Sequence, residues 1–279
     1  MLEPLRDVLA WAAVFNHALT VEEIHRYISE KASTDAVERA LQDSSFAVCI
    51  NERWHLKTAT YDISQDEAQR NYAVSHLREV SPVLAQLAAT PTVEAMAITG
   101  SVAAGVNDED GDVDLLIVAR PGHVWRVRAL AIYLQHNVTG GYRICPNMVI
   151  DRRKMSLRPS RYAARELSMM RPLKGHAILT ALLESNAWSR EHQPNASMRN
   201  GFDLPAPSGG MPWWWAVMRA PLTGRWAEKW ESDRRIRELQ ANSASEEATY
   251  AKDRCIGHEN AHRSRIEREM GRIIRESVA

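Results

Sequence analysis

The stretch from residue 93 to residue 118 allows few folds. Residues 93–99 (Val-Glu-Ala-Met-Ala-Ile-Thr) read as one strand, and Val113 to Val118 as a second, apolar enough to lie centrally in a sheet. Between them stand Gly100-Ser101, a polar loop with an acidic centre, and Asp112. The chain must turn sharply at a glycine and re-enter the sheet behind carboxylates. Residues two apart on a strand share a face, so Asp112 and Asp114 present two carboxylates side by side while Val113 points into the core. Adjacent carboxylates repel, and a cation between them relieves the repulsion. Oxygen-only donors suit magnesium or manganese, which would fill its other positions with water and substrate phosphates. Such a metal activates a hydroxyl and holds a triphosphate for in-line attack. Gly100, without a Cβ, lets backbone approach a phosphate. Ser101 can donate its hydroxyl to the same anion, and the free amides of a helix starting there would face it.

Ile98-Thr99-Gly100-Ser101, ten intervening residues, and Asp112-Val113-Asp114-Leu115 closely resemble the signature of the DNA polymerase beta-like nucleotidyltransferase superfamily. Gly105 matches a glycine common in its minimal and aminoglycoside members. The resemblance covers residues 90–155. It implies an α/β (α+β) fold: a small mixed sheet with flanking helices. It also implies transfer of a nucleoside monophosphate from an NTP, with Asp112 and Asp114 on magnesium and Gly100 and Ser101 on the triphosphate. ATP is the commonest co-substrate. The bland alternative is a surface turn followed by a chance acidic pair, and the match of both halves weighs against it.

The superfamily usually supplies a third carboxylate from a later strand. The corresponding strand here is Tyr142 to Ile150, and its middle holds Cys145-Pro146-Asn147. Asn147 is therefore a candidate catalytic residue, as a neutral oxygen ligand or the holder of a water. Asp151 at the strand end and Glu166 on the following helix are the other acids within reach. Further motifs resemble bacterial nucleotidyltransferase-domain proteins: Cys145-Pro146-Asn147, Tyr162-Ala163-Ala164-Arg165-Glu166-Leu167, Pro172-Leu173-Lys174-Gly175, Asn186-Ala187-Trp188 and Pro194-Asn195-Ala196. This similarity implies one catalytic unit reaching towards the C-terminus and brings no substrate with it. Lys174, at an expected helix start, is a candidate for the nucleotide phosphates, against the plain reading of a solvated lysine.

Residues 1–62 give three helices and a hairpin. Apolar positions repeat helically over residues 3–18. Thr20 with Glu23 forms a capping box, and Ser33 or Thr34 opens a third helix. Residues 46–50 and 54–56 form the hairpin around Asn51-Glu52-Arg53. This order resembles a winged helix, whose third helix would meet DNA. That helix is not basic. Docking of a protein, or pairing of two copies as a homodimer, ranks above DNA contact. Residues 65–89 read as a helix interrupted at Pro82, and residues 123–137, 160–170 and 174–186 as helices. Residues 193–212 read as a loop. Helical periodicity resumes from Trp213 to Leu239 and from Lys252 to Ser277. The expected domains are 1–62 (winged-helix-like), 63–192 (catalytic) and 193–279 (helical).

In the last segment Cys255, His258 and His262 fall at helical spacing, and packing or phosphate contact is a simpler role than zinc. The tryptophans at 213–215, 226 and 230 suit core packing, with at least one left over for an interface or pocket. Lys plus Arg and Asp plus Glu number 35 each, so no overall field favours nucleic acid or membrane. Three scattered cysteines fit free thiols in a reducing compartment. No stretch reads as a leader or membrane span, which predicts a cytoplasmic protein. The neutral charge favours a small-molecule acceptor. Transfer onto a protein or tRNA stays open, as does a nucleotide-sensing DNA-binding regulator built on a degenerate transferase fold.

Overall fold

A computed structural model of the chain describes residues 1–242, 248–257 and 262–278. Three short helices open it: α1 (Leu2–Ala13), α2 (Val21–Tyr27) and α3 (Thr34–Gln42). The capping box is formed, with the Thr20 amide donating to Glu23 Oε2 at 2.9 Å and the Glu23 amide to Thr20 Oγ1 at 3.3 Å. Ser33 caps α3. Strands β1 (Ala47–Ile50) and β2 (Arg53–Leu56) make the hairpin, and a bridge from Leu19 to Trp54 adds a third extended piece.

Helix α4 (Ile63–Ala88) runs through Pro82 without a break, where the sequence predicts an interruption. Val80, Val83 and Leu84 around the proline are wholly buried, and that packing outweighs the lost backbone hydrogen bond. At its start, burial works against the charge of Asp66. Hydrogen bonds from His17, Tyr61 and Arg70 outweigh it and hold the carboxyl well below its ordinary range. This cluster ties the end of α1 to α4.

The catalytic half follows as β3 (Val93–Ile98), α5 (Gly100–Ala104), β4 (Val113–Ala119), α6 (Val124–Asn137), β5 (Ile144–Asp151), α7 (Arg161–Met169), β6 (Arg171–Lys174), α8 (His176–Ser185) and α9 (Ser189–His192). Residues 193–212 hold no regular element, as predicted. Helices α10 (Trp213–Arg219) and α11 (Pro221–Asn242) are divided at Pro221. Strands β7 (Thr249–Ala251) and β8 (Arg254–Ile256) precede α12 (His262–Val278).

The six-stranded mixed sheet has the order β6-β3-β4-β5-β8-β7, parallel only between β4 and β5. Met96, Ile98, Leu115 and Ile117 face a large core shared with α1, the hairpin, α4 and α6. Ala95, Ala97, Leu116 and Val118 face a smaller one completed by Leu179 and Leu182 of α8. The first core is continuous from Leu5 to Ile273, so the N-terminal elements and α12 are packed into the same interior as the sheet. Among the described residues no helix is long and apolar enough to cross a membrane.

Two expectations for the C-terminal part are corrected. The helix predicted from Lys252 begins instead at His262, and residues 249–256 form the hairpin that completes the sheet edge. Cys255 is thus a buried strand residue opposite Val149 rather than a residue of that helix. His258 and the side chain of His262 lie outside the described residues. Of the tryptophans, Trp215 is buried, Trp214 packs edge-on to Tyr133, and Trp213, Trp226 and Trp230 are exposed.

Candidate active site

The antiparallel pairing of Ile98 with Leu115 sets the end of β3 beside the start of β4. The chain crosses between them with the Thr99 amide donating to Asp114 O at 2.9 Å. Gly100 adopts φ +63°, a conformation that costs little only without a Cβ. A Cβ built there would collide with Asp114 Oδ2. Both the turn and the approach of the carboxylate therefore require glycine. The Gly100 amide donates to Glu166 Oε2 at 3.2 Å, and the Thr99 hydroxyl also donates to Glu166. Helix α7 thereby carries a third carboxylate to the turn, on the element the sequence marked as one of two alternatives to Asn147.

Three acids converge. Glu166 is buried and its carboxyl is pushed up to about 7, first by burial and then by Asp114, with the Gly100 amide, Thr99 and Arg165 opposing. Asp114 is pushed up to about 6 by burial and by Asp112, against a hydrogen bond from the Cys145 thiol. Asp112 is raised by burial, with Arg143 opposing. The same negative surroundings, after burial itself, raise the Cys145 thiol, so it stays protonated beside Asp114. Val113 is wholly buried between the aspartates, as the strand parity predicts.

The loop between the turn and the acids is anchored rather than free. Ser101 Oγ donates to Asn107 Oδ1 at 2.9 Å. Asn107 Nδ2 meets His76 Nδ1 at 2.9 Å and Asp112 O at 3.2 Å, and the Asn107 amide donates to Gln69 O. Burial, then Arg143, lower the His76 pKa, which suits a neutral ring accepting from Asn107. Arg143 reaches from the start of β5 to Glu79 and to the carbonyls of Glu109 and Gly111. Helix α4 thus fixes the acidic loop from below.

Two cavities meet at Asp112 and Asp114. One, of about 330 Å³, includes Gly100, Ser101, Glu166 and the rings of Trp11 and Tyr27. The other, of about 660 Å³, includes Asn147, Cys145, Arg128 and Tyr250. Asn147 is therefore brought near the aspartates, and its carbonyl accepts from the Gly257 amide.

Lys174 is not brought there, against the sequence reading. Strand β6 pairs Arg171 with Ile98 near the turn and Lys174 with Met96 further off. Lys174 Nζ donates to Ala88 O at 2.5 Å and Thr90 O at 3.3 Å, capping the C-terminal end of α4. Asp151 is likewise remote. Parallel pairing sets it opposite Ala119, at the far end of the sheet, where it binds Arg153 and the Gly122 amide.

The donor set fits a hard divalent cation. Asp112 and Asp114 offer oxygen ligands at a cavity mouth, and their mutual repulsion with Glu166 is what such an ion would relieve. Among the described residues no three His, Cys, Asp or Glu side chains are grouped to enclose a metal. The pair is thus a partial shell to be completed by water and phosphate, as magnesium prefers.

A glycine turn pressed against acidic strand residues, on a mixed sheet flanked by helices, is the arrangement that the sequence predicts for a nucleotidyltransferase. Comparison with known families agrees: residues 77–139 match the family model described as nucleotidyltransferase domain. The match takes in β3, the Gly100-Ser101 turn, both aspartates and α6. The match supports a nucleotidyltransferase domain of the DNA polymerase beta-like kind in this part of the chain, and with it a transferase. No curated protein and no solved structure gives a significant match.

Proposed function

We propose that the protein moves a nucleoside monophosphate from an NTP, with ATP the favoured donor, onto a hydroxyl of a small-molecule acceptor. The acceptor oxygen attacks the α-phosphorus, the bond to the bridging oxygen breaks, and pyrophosphate leaves. Asp112 and Asp114 would hold magnesium or manganese, which supplies charge neutralisation at the phosphates. Gly100 and Ser101 face the triphosphate. Glu166 keeps the turn in place through the Gly100 amide. The acceptor's proton passes into the carboxylate cluster, where Glu166, at about 7, is the member matched to neutral pH. Asn147 lines the second cavity and can hold a water there.

The observation that carries this reading is the convergence of Asp114 and Glu166 on Gly100, too close for any side chain at that position. Residues 1–62, 63–192 and 193–279 are proposed as module, catalytic domain and C-terminal region, with strands β7 and β8 lent back to the sheet. A cytoplasmic setting fits the free cysteines. The 330 Å³ volume of this cavity favours a small acceptor over a protein, tRNA or DNA partner.

The test uses labelled NTP, magnesium and a low-molecular-weight metabolite extract. Wild type should release pyrophosphate and transfer label, and an Asp112→Ala, Asp114→Ala double variant should not. Equal release by both sinks the proposal.

A further inference from the structure

The 330 Å³ cavity has an unexpected wall. One end is the catalytic turn with Asp112, Asp114 and Glu166. The other is built by the N-terminal module, from Trp11 of α1, Phe15 in the turn after it and Tyr27 of α2, together with Arg165 of α7. Trp11 lies 6.0 Å from the Tyr162 ring and 6.4 Å from Phe15. The Arg165 guanidinium sits 4.3 Å over Tyr27 and 5.0 Å over Trp11.

Arg165 is only 6% exposed. Its guanidinium makes no hydrogen bond or ion pair with any described residue, and the ring faces are its contacts. A cation held in that way keeps its five N–H donors unspent. Burying it without a carboxylate is costly. Burial, with the neighbouring Arg161 adding to it, drives its pKa down to about 10, against Tyr27 and Glu166. Glu166, next in the chain, turns its Oε2 to Gly100 instead. The site is thus preformed for an anion brought by a ligand, and planar guanidinium geometry matches a carboxylate or phosphate bidentately.

The walls decide which ligand brings it. Beyond Gly100 and Ser101, which are left to the triphosphate, the lining offers one guanidinium among rings and the side chains of Ala12, Leu19 and Met169, too few donors for a second polyphosphate. We infer that this cavity binds the acceptor, and that the acceptor is an aromatic or flat apolar hydroxy compound carrying an anionic group. The ring lies against Trp11 and Tyr27, the anion meets Arg165, and the hydroxyl points to Asp112 and Asp114. This rests on the transferase reading above. It gives the N-terminal module a second use, as the specificity wall of the active site.

A matched pair of probes tests it without turnover, so failure of the catalytic reading and failure of this one are separable. Full-length protein is titrated calorimetrically with 4-hydroxybenzoate and with its neutral isostere 4-hydroxybenzamide, at millimolar concentration. Wild type should favour the carboxylate by about tenfold, the worth of one charge-assisted pair. Arg165→Gln should erase the preference, and Arg165→Lys should restore part of it. Trp11→Ala should weaken both probes alike. ATP–magnesium binding should change less than about twofold in each variant. Equal binding of the two probes by wild type, or binding of neither, overturns the inference. So does a variant at Arg165 that loses ATP affinity while leaving the probes unchanged, because the guanidinium would then belong to the triphosphate.

Discussion

Gly100 is the residue on which the site turns. Its φ of +63° and the contact with Asp114 leave no room for a methyl group. Gly100→Ala should cost about 1–3 kcal/mol of stability from strain, and about a hundredfold in transfer rate, because the carboxylate must shift. Thermal unfolding alongside turnover checks both, and a near-wild-type rate would remove the glycine from the argument. Glu166 and Asp114 make a prediction in pH. Their folded pKa values, about 7 and about 6, lie above the unfolded values of 4.5 and 3.8. Folding therefore holds these protons more tightly. The stabilisation is complete below about pH 4 and is lost as pH rises through about 7. Asp66, shifted the other way, contributes above its unfolded value and is lost only on strong acidification. The metal-free protein should thus lose melting temperature from about pH 5 to about pH 7, and Glu166→Gln should flatten that slope. A slope unchanged in the variant would contradict the assignment. At this scale the sequence told most where spacing is local. Gly100, Ser101, Asp112 and Asp114 lie within one strand-turn-strand unit, and the structure brings them together. Glu166 was legible only as one acid among several, and Arg165 only as a letter in a motif. Their approach depends on how α7 packs, which no local pattern records. Lys174 reads as a phosphate ligand because its neighbours suggest a helix start. A four-residue strand carries it to the end of α4 instead.

At the scale of elements, α4 is the support beneath the acidic loop. It holds Asn107 through Gln69 and His76, and Asn107 in turn holds Ser101 and the backbone of Asp112. Asn107→Ala should leave the fold intact, lower kcat, and raise hydrogen exchange at the amide of residue 107, which donates to Gln69 O. Unchanged protection there would mean the loop is held by other means. Periodicity revealed the long elements because a buried stripe persists over several turns. It failed at β6, β7 and β8, each three or four residues long, too short for alternation to stand out from the helical patterns beside them. The unbroken passage of α4 through Pro82 shows the reverse case, in which tertiary burial overrides a local breaker.

For the whole molecule, the notable fact is one core reaching from α1 to α12 through the sheet. The N-terminal elements resemble a separable module in sequence order, yet Leu5, Leu9 and Leu56 are wholly buried in that shared interior. Removing residues 1–62 would expose the face of α4 and the flank of α12 that they cover. The truncated chain should fail to unfold cooperatively and should bind a hydrophobic dye, whereas a sharp melting transition would show that the module is dispensable. Sequence order could not reveal this, because a shared core depends on contacts between segments far apart in the chain. The carboxylate cluster serves the entire assembly if it binds nucleotide through a metal. The most direct measurement is calorimetric titration of ATP with and without magnesium, for wild type, Asp114→Asn and Gly100→Ala. Magnesium should tighten ATP binding to wild type at least about tenfold and should have little effect in either variant. ATP binding that is indifferent to magnesium in wild type, or equally magnesium-dependent in Asp114→Asn, would contradict the account.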